Sequence, residues 1–178
     1  GTRPREKNPC KDADMAAELI CSLKDRAENL MIVDLLRNDL GKVCEIGSIS
    51  VPQLFALESY SEVHHLTSVI KGHLHADRSW LDLLEACWPG GSISGAPKIR
   101  ACQRLYELEP TARGPYCGSI IKINWDGSFD SNILIRSLML NQATMRAHAG
   151  CGIVADSDPR REIEELKWKI LPILKALE

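Results

Sequence analysis

The stretch that decides the fold runs from Lys24 to Gly41 and reads Lys-Asp-Arg-Ala-Glu-Asn-Leu-Met-Ile-Val-Asp-Leu-Leu-Arg-Asn-Asp-Leu-Gly. Its apolar side chains recur at helical spacing and continue a stripe that begins in the preceding residues. The stripe consists of Ala16, Leu19, Ile20, Leu23, Ala27, Leu30, Met31 and Leu35. Because Glu28 lies beside these residues, where a solvated charge is not expected, the spacing predicts a core helix that carries a carboxylate to a functional site.

The same run also fits a surface helix that is laced with ion pairs. Arg26, Asp34 and Arg37 would then be solvated, and oppositely charged residues three or four positions apart would stabilise the helix. Taken alone, the run leaves both interpretations open.

Length and composition narrow the class of protein. The chain has 178 residues, which is enough for one domain with a hydrophobic core. Its net charge of -2 at pH 7 argues against a nucleic-acid binder that relies on phosphate contacts. The seven cysteines lack Cys-x-x-Cys spacing, which favours reduced thiols in a cytoplasmic protein over a disulfide framework or a zinc site.

The opening residues 1–11 are polar, contain two prolines and predict a loop. Because the chain begins with Gly1 rather than methionine, we expect it to be part of a longer protein. The long helix is predicted to begin at Asp12 or Asp14, either of which could cap it, and to end near Gly41.

The remaining pattern mixes helices with strands that are joined by short turns. Helices are predicted from Ser79 to Cys87, from Pro97 to the residue before Pro110, and from an Asp158 cap to the C-terminus. Strands are predicted over 43–51, 64–74, 118–125, 129–140 and 144–149, with a hairpin turn at Asp126-Gly127. The pattern therefore predicts an α/β fold of the α+β type, with largely antiparallel sheets flanked by helices.

Two segments that contain glycine could bring backbone N–H groups to an anion. Residues 90–98 open a predicted helix, whose dipole favours negative charge at its start. Ala96 and Pro97 exclude a Walker phosphate loop, which requires Lys and then Ser or Thr at those positions. Residues 150–154 follow a predicted strand and contain two glycines. Either segment could instead be a plain connection.

Glu165 and Lys169 lie four residues apart on the last predicted helix and therefore share a face. They form either a surface ion pair or a metal-binding carboxylate beside a cation that holds an anionic substrate. Glu28 and Glu165 would together suit Mg²⁺, which prefers oxygen ligands.

Polar side chains also stand in two predicted strands. One of the adjacent residues His64 and His65 should face inward, either as a structural residue or as a proton carrier. Arg136 lies within the apolar stretch 133–138 and either faces solvent or meets a buried carboxylate. The surrounding residues leave both roles open in each case.

Five motifs occur in an order and spacing that resemble those of the chorismate-utilising enzymes. They are the run 24–41, His-His-Leu-Thr-Ser at 64–68, Pro-Gly-Gly-Ser-Ile-Ser-Gly-Ala-Pro-Lys at 89–98, Ile-Arg-Ser-Leu at 135–138 and Gly-Cys-Gly-Ile-Val-Ala-Asp-Ser at 150–157. The resemblance covers nearly the whole chain. It implies that residues 1–178 are the C-terminal part, about half, of a single chorismate-binding catalytic domain with helices around two sheets.

The resemblance also implies a role for each candidate residue. Glu28 and Glu165 resemble ligands of Mg²⁺, which would hold the ring carboxylate of chorismate and help the C4 hydroxyl to leave. His65 and Ser92 resemble catalytic residues beside the ring. The residues that resemble substrate contacts are Tyr116 and Arg136 at the enolpyruvyl carboxylate, and Gly150, Cys151, Gly152 and Lys169 at the ring carboxylate.

A few positions depart from the family pattern without removing any of these roles. Leu166 follows Glu165 where relatives usually have Thr, and Ile121-Lys122 stands where many have Gly-Tyr. Cys151 occupies a position where Ala or Gly is usual. These differences bear on local packing and on specificity.

Within the family, Ala-Glu-Asn at 27–29 is typical of the aminodeoxychorismate branch, whereas anthranilate synthases usually have Ala-Glu-His. The resemblance therefore implies amination of chorismate at C4 to 4-amino-4-deoxychorismate, a step towards para-aminobenzoate and folate. Ammonia would come from a glutamine amidotransferase subunit. The fragment alone, which lacks upstream parts of the site, is expected to be inactive.

The residue before Gly1 would separate the two branches. Gly1-Thr2 resembles the end of a Pro-Ile-Lys-Gly-Thr motif, whose lysine would attack C2 of the substrate, and anthranilate synthases have Ala in its place. Anthranilate synthesis is one alternative function, and a non-catalytic docking or regulatory segment is another.

Overall fold

The computed structural model describes residues 1–155 and 157–177, except for the side chain of Trp168. Residues 1–91 and residues 92–178 form two compact units. That both units belong to one catalytic domain stays a prediction.

The first unit is a three-stranded antiparallel sheet with helices packed against its central strand. Its elements are β1 (Thr2–Pro4), α1 (Pro9–Cys21), α2 (Leu23–Leu40), β2 (Ser50–Ser59), β3 (Val63–Lys71) and α3 (Trp80–Cys87). The strand order is β1-β3-β2, so β3 pairs on both edges. Thr2 lies opposite His65 on one edge, and Glu58 lies opposite it on the other.

The start of the chain is more ordered than the sequence predicts. The loop predicted over 1–11 is wrong in part, because β1 pairs with β3 and α1 begins at Pro9. Asn8, rather than Asp12 or Asp14, caps α1, since its side-chain oxygen accepts two backbone N–H groups of the first turn. Proline at the first helical position fits because it lacks the N–H that would otherwise have no partner there.

The helix predicted to end near Gly41 is in fact two helices that meet at Ser22. This residue is extended, with φ -64° and ψ 109°, and its hydroxyl accepts the N–H of Asp25 at 3.2 Å. A serine hydroxyl that caps a new helix competes with continuation of the preceding helix. The apolar stripe crosses this break without a change of spacing, so its period gives no sign of it.

The strand predicted over 43–51 is also misplaced, because the chain forms turns and a single antiparallel bridge between Cys44 and Leu74 before β2 begins at Ser50. Gly47 lies within these turns and has φ +80°, a conformation that glycine adopts without strain. β2 then continues to Ser59 and keeps its pairing with β3 through two irregularities in register. The other strand predicted in this unit is confirmed as β3.

The core of the first unit contains Leu19, Val33, Val43 and Leu66. Only part of the predicted apolar stripe contributes to it, since Leu30 and other members of the stripe stay exposed. α2 is therefore rotated on its long axis relative to the expectation, and polar residues enter the face that it turns to the sheet.

The second unit combines two antiparallel hairpins with a long last helix. The short α4 (Gly91–Ser94) is followed by α5 (Lys98–Leu108), β4 (Ser119–Ile123), β5 (Phe129–Ile133), β6 (Leu138–Asn141), β7 (Thr144–Ala147) and α6 (Pro159–Lys175). β4 pairs with β5, and β6 pairs with β7. Every strand pair among the described residues is antiparallel, which confirms the predicted fold class.

The single strand predicted over 129–140 is two strands separated by residues 134–137. Arg136, within the separating segment, has φ +50°. This left-handed conformation costs a residue with a Cβ on the order of 1 kcal/mol and is incompatible with a continuous strand. The prediction that Arg136 lies in a strand is therefore wrong.

The predicted helix starts at Ser79 and Asp158 are confirmed. Ser79 forms a reciprocal capping box with Asp82, and Asp158 accepts two N–H groups at the start of α6. Pro97 is the N-cap of α5 rather than part of its first turn. Of the described helices, none has the length and apolar character that a membrane crossing requires.

Replacement of Leu19 by alanine is expected to lower the free energy of unfolding of the 178-residue chain by about 3 kcal/mol, because it leaves a cavity at a fully buried position. The matched control is Leu23→Ala on the neighbouring helix, where the side chain is 83% exposed. That control should change the free energy by less than about 0.5 kcal/mol. Urea denaturation followed by circular dichroism measures both, and equal losses would contradict this placement of the core.

Candidate active site

His65 lies on β3, and groups from both neighbouring strands surround its ring. Its Nδ1 is 2.8 Å from Thr2 Oγ1 on β1. The ring of Tyr60 meets it edge-on with a centroid distance of 5.7 Å. Glu58 lies opposite on β2, and a hydrogen bond from the Tyr60 hydroxyl holds the pKa of Glu58 below its usual value. The imidazole therefore has a fixed hydroxyl partner and a carboxylate across the ladder.

His64 is the one of the two adjacent histidines that faces inward, as the strand pattern required. It is 3% exposed, with Nε2 at 3.1 Å from Asp12 Oδ1 and Nδ1 at 2.8 Å from Ser59 Oγ. The Arg5 guanidinium bonded to the same carboxylate holds the pKa of Asp12 well below its usual range. These contacts tie α1 to the sheet, which is a structural role.

Glu28 presents its carboxylate at the surface of the first unit. The side chain is 41% exposed, and Lys24 Nζ lies 3.8 Å from its Oε1. An exposed pair between Arg37 and Asp34 follows on the same helix at 3.1 Å. α2 thus has the ion pairs of a surface helix, and the Glu28 carboxylate is accessible to a ligand.

Lys169 on α6 contacts three of the residues predicted for the site in the second unit. Its Nζ is 2.8 Å from Glu165 Oε1, donates to the Gly150 carbonyl at 3.0 Å and lies 3.8 Å from Cys151 Sγ. The predicted i,i+4 pair is present, and the same ammonium fixes the glycine segment against the last helix. A cation and a carboxylate therefore adjoin a stretch of backbone rich in glycine.

A second carboxylate, Glu162, joins this group. Cys151, Glu162 and Glu165 each offer one ligand atom, and these atoms lie within 4.8 Å of one another. Burial raises the pKa of the Cys151 thiol despite the nearby Lys169, so the sulfur stays protonated near neutral pH. The remaining donors are carboxylate oxygens, which fit Mg²⁺ better than a thiophilic metal ion.

The sequence analysis missed Glu162. Its position three residues before Glu165 places the two carboxylates on one face of the helix, and that spacing could have revealed it. The acidic pair was visible in the sequence, but its proximity to Cys151 was not.

Tyr116 lies against the segment 150–152 that Lys169 also contacts. A Cβ at Gly150 would lie 2.9 Å from the Tyr116 hydroxyl, so a larger residue here would require the Tyr116 side chain to shift. The Tyr116 ring packs on His148 with a centroid distance of 5.2 Å. Burial raises the pKa of Tyr116 to about 12, which keeps the phenol protonated and able to donate to an anion.

Within the described part of the chain, none of the contacts around Lys169 and Gly150 involves Arg136, Ser92 or Gly152. Arg136 is exposed between β5 and β6, and Ser92 is exposed on α4. A Cβ built at Gly152 would meet nothing within 4 Å among the described residues. The left-handed conformation of Arg136 is still a local strain of the kind that concentrates at functional sites.

A lysine cation, a phenol donor and two carboxylates lie beside glycine backbone. Such an arrangement could hold an anionic ligand together with a hard cation. The chain belongs to the chorismate binding enzyme family, which it matches over residues 1–175. The family expected from the five motifs is thereby confirmed.

Individual relatives agree with this assignment. The chain is 49% identical to aminodeoxychorismate synthase component 1 of Klebsiella aerogenes over 100% of its own length and 40% of that protein. It is 45% identical to anthranilate synthase component 1 of a Synechocystis strain over 99% of its length and 36% of that protein. The crystal structure of anthranilate synthase component I from Streptococcus pneumoniae matches with a TM-score of 0.83 and 37% identity, over 93% of this chain and 41% of that chain. The chain thus spans about 40% of the length of the curated relatives that it matches.

Tyr116 is expected to remain protonated up to about pH 11, where an unperturbed phenol is already ionised. Because the folded state holds this proton more tightly than the unfolded chain does, stability should fall as the pH rises from 10 to about 12. The phenolate absorbance of the wild-type chain minus that of Tyr116→Phe isolates this residue. A difference signal with a midpoint near pH 10, in protein that circular dichroism shows to be folded, would contradict the burial of the phenol.

Proposed function

We propose that the full-length protein is an aminodeoxychorismate synthase component 1, which uses Mg²⁺ and ammonia to aminate chorismate at C4 and yields 4-amino-4-deoxychorismate. The observation that carries this proposal is the group formed by Lys169, Glu165, Glu162 and Tyr116 around Gly150, in a chain 49% identical to a protein of that name. Asn29, which directly follows Glu28, favours the same branch of the family.

The charge of the residues suits a substrate with two carboxylates. Tyr116 donates its phenolic hydrogen, and the Lys169 ammonium and the amides of 150–152 hold the ring carboxylate. Arg136 offers a guanidinium for the enolpyruvyl carboxylate, a pairing that is bidentate in favourable geometry. Because the Lys169 ammonium holds the Gly150 carbonyl against α6, the donors to the ring carboxylate are placed before reaction.

Glu28 and Glu165 are the proposed ligands of Mg²⁺, with Glu162 beside the second of them. When bound, the ion supplies charge that offsets the negative charge developing on the departing C4 hydroxyl. His65 is proposed to move a proton beside the ring, and Ser92 to line it. A glutamine amidotransferase subunit would deliver the ammonia.

Anthranilate synthesis is the second candidate, because the chain is also 45% identical to a protein of that name. The two reactions share the substrate, the ion and the ammonia, but differ in the carbon that is aminated. Only anthranilate formation releases the enolpyruvyl side chain as pyruvate. The products therefore separate the two candidates directly.

The full-length protein, given Mg²⁺, chorismate and an ammonium salt, is expected to consume chorismate without releasing pyruvate. A lactate dehydrogenase assay for pyruvate, run beside chromatography of the product, measures both quantities. One pyruvate per chorismate would assign the protein to anthranilate synthesis instead.

Residues 1–178 alone are expected to show no turnover, and robust turnover would refute the need for the rest of the chain.

Glu28→Gln in the full-length protein is expected to lower Mg²⁺-dependent turnover by at least about 100-fold, because an amide is a far weaker ligand than a carboxylate for a hard cation. Asp34→Asn is the matched control, since it removes a charge from the exposed side of the same helix. Steady-state turnover over a Mg²⁺ series measures both. Unchanged Mg²⁺-dependent activity in Glu28→Gln would favour the docking or regulatory alternative.

A further inference from the structure

Asn29, the residue after Glu28, joins α2 to the central strand of the first unit. Its Nδ2 donates to the Leu66 carbonyl at 3.2 Å, and its Oδ1 accepts from Ser68 Oγ at 2.6 Å. One half-buried carboxamide therefore makes two hydrogen bonds to β3, which fixes both the height and the rotation of this turn of the helix.

Ser68 extends the connection to a strained point in β2. The Ser68 hydroxyl accepts the N–H of Phe55 at 3.1 Å while it donates to Asn29. Phe55 has φ +55°, a costly conformation for an aromatic residue, and lies within the second irregularity in the pairing of β2 with β3. The Arg26 guanidinium covers the Phe55 ring at 4.9 Å. Two residues of α2, three positions apart, thus hold the same bulge.

Few contacts among the described residues fix the position of the Glu28 side chain. Among the residues that the structure describes, Lys24 is the cation paired with it, and the distance of 3.8 Å exceeds that of a hydrogen bond. The position of its carboxylate therefore depends on the backbone of the turn that carries it. That turn is the one tied to β3 through Asn29.

We propose that Asn29 and Ser68 are positioning residues for Glu28, which hold its carboxylate where it can bind the metal ion. This inference rests on the proposed function, which makes Glu28 a metal ligand. Asn29 and Ser68 act through hydrogen bonds to the element that carries the ligand, in the manner of the outer-shell partners of other metal sites. They touch neither substrate nor metal in this assignment.

A purely structural role for the same residues makes a different prediction. If the role is purely structural, replacing either residue lowers the melting temperature but leaves the Mg²⁺ concentration for half-maximal turnover unchanged. The positioning role raises that concentration in protein that is still folded at the assay temperature.

The test uses the full-length protein with the variants Asn29→Ala and Ser68→Ala. Each is expected to raise the half-saturating Mg²⁺ concentration about 10-fold, as the loss of an outer-shell partner does at other metal sites. The double variant should show little more than either single variant, because both act in one network. Ser68→Thr keeps the hydroxyl and should restore the wild-type value. Asn38→Ala removes an exposed carboxamide from the same helix and should leave the value unchanged.

The outcomes separate this inference from the proposed function. A half-saturating concentration within twofold of wild type in Ser68→Ala, with Glu28→Gln strongly impaired, overturns the positioning role alone. An unchanged Mg²⁺ requirement in Glu28→Gln overturns the proposed ligand and the positioning role with it. Ser68→Ala removes a single oxygen and decides the question if Asn29→Ala fails to fold.

Discussion

The hydrogen bonds that β3 makes with its surroundings hold the first unit together. Its backbone pairs with β1 and β2 on its two edges. Side chains add the helices, because His64 joins Asp12 of α1 and Ser68 joins Asn29 of α2. His65 lies between these two anchors and pairs with Thr2. A strand that is held from four sides gives a candidate catalytic histidine a fixed position, which is the condition for directed proton transfer.

The second unit has one comparable anchor in Lys169. Its ammonium satisfies the Gly150 carbonyl and balances Glu165, so the glycine segment and the last helix keep one arrangement. Tyr116 also lies against this segment, and a side chain at Gly150 would displace the Tyr116 hydroxyl. Charge, hydrogen bonding and steric limits thus act on the same few backbone atoms, and the proposed carboxylate site follows from their combination.

The sequence predicted the features that local chemistry determines. Ser79 and Asp158 were identifiable as caps because the capping side chain and its helix are adjacent, and the five motifs indicated the family because their order is itself informative. The break at Ser22 and the left-handed Arg136 were not predictable in this way, since apolar periodicity continues across both. The hydroxyl of Ser22 caps the second helix locally, but the unbroken apolar stripe masks that signal.

At the candidate site, too, contacts between neighbouring residues were predictable from the sequence and contacts between distant residues were not. The pairing of Glu165 with Lys169 follows from helical spacing, whereas the approach of Cys151 to that pair depends on a contact across 18 positions of sequence. The rotation of α2, which brings Asn29 rather than the apolar stripe to β3, likewise depends on hydrogen-bond partners on another element.

The proposal on which the site depends is that Glu28 and Glu165 are ligands of one metal ion. Manganese(II) favours the same oxygen ligands as Mg²⁺ and can be followed by its electron paramagnetic resonance signal. Titration of the full-length protein in the presence of chorismate would compare the wild type with Glu28→Gln, with Glu165→Gln and with the double variant. We expect each single variant to weaken Mn²⁺ binding strongly and the double variant to add little, because both residues act on one ion. Losses that add in full, or unchanged binding in either single variant, would contradict the proposal.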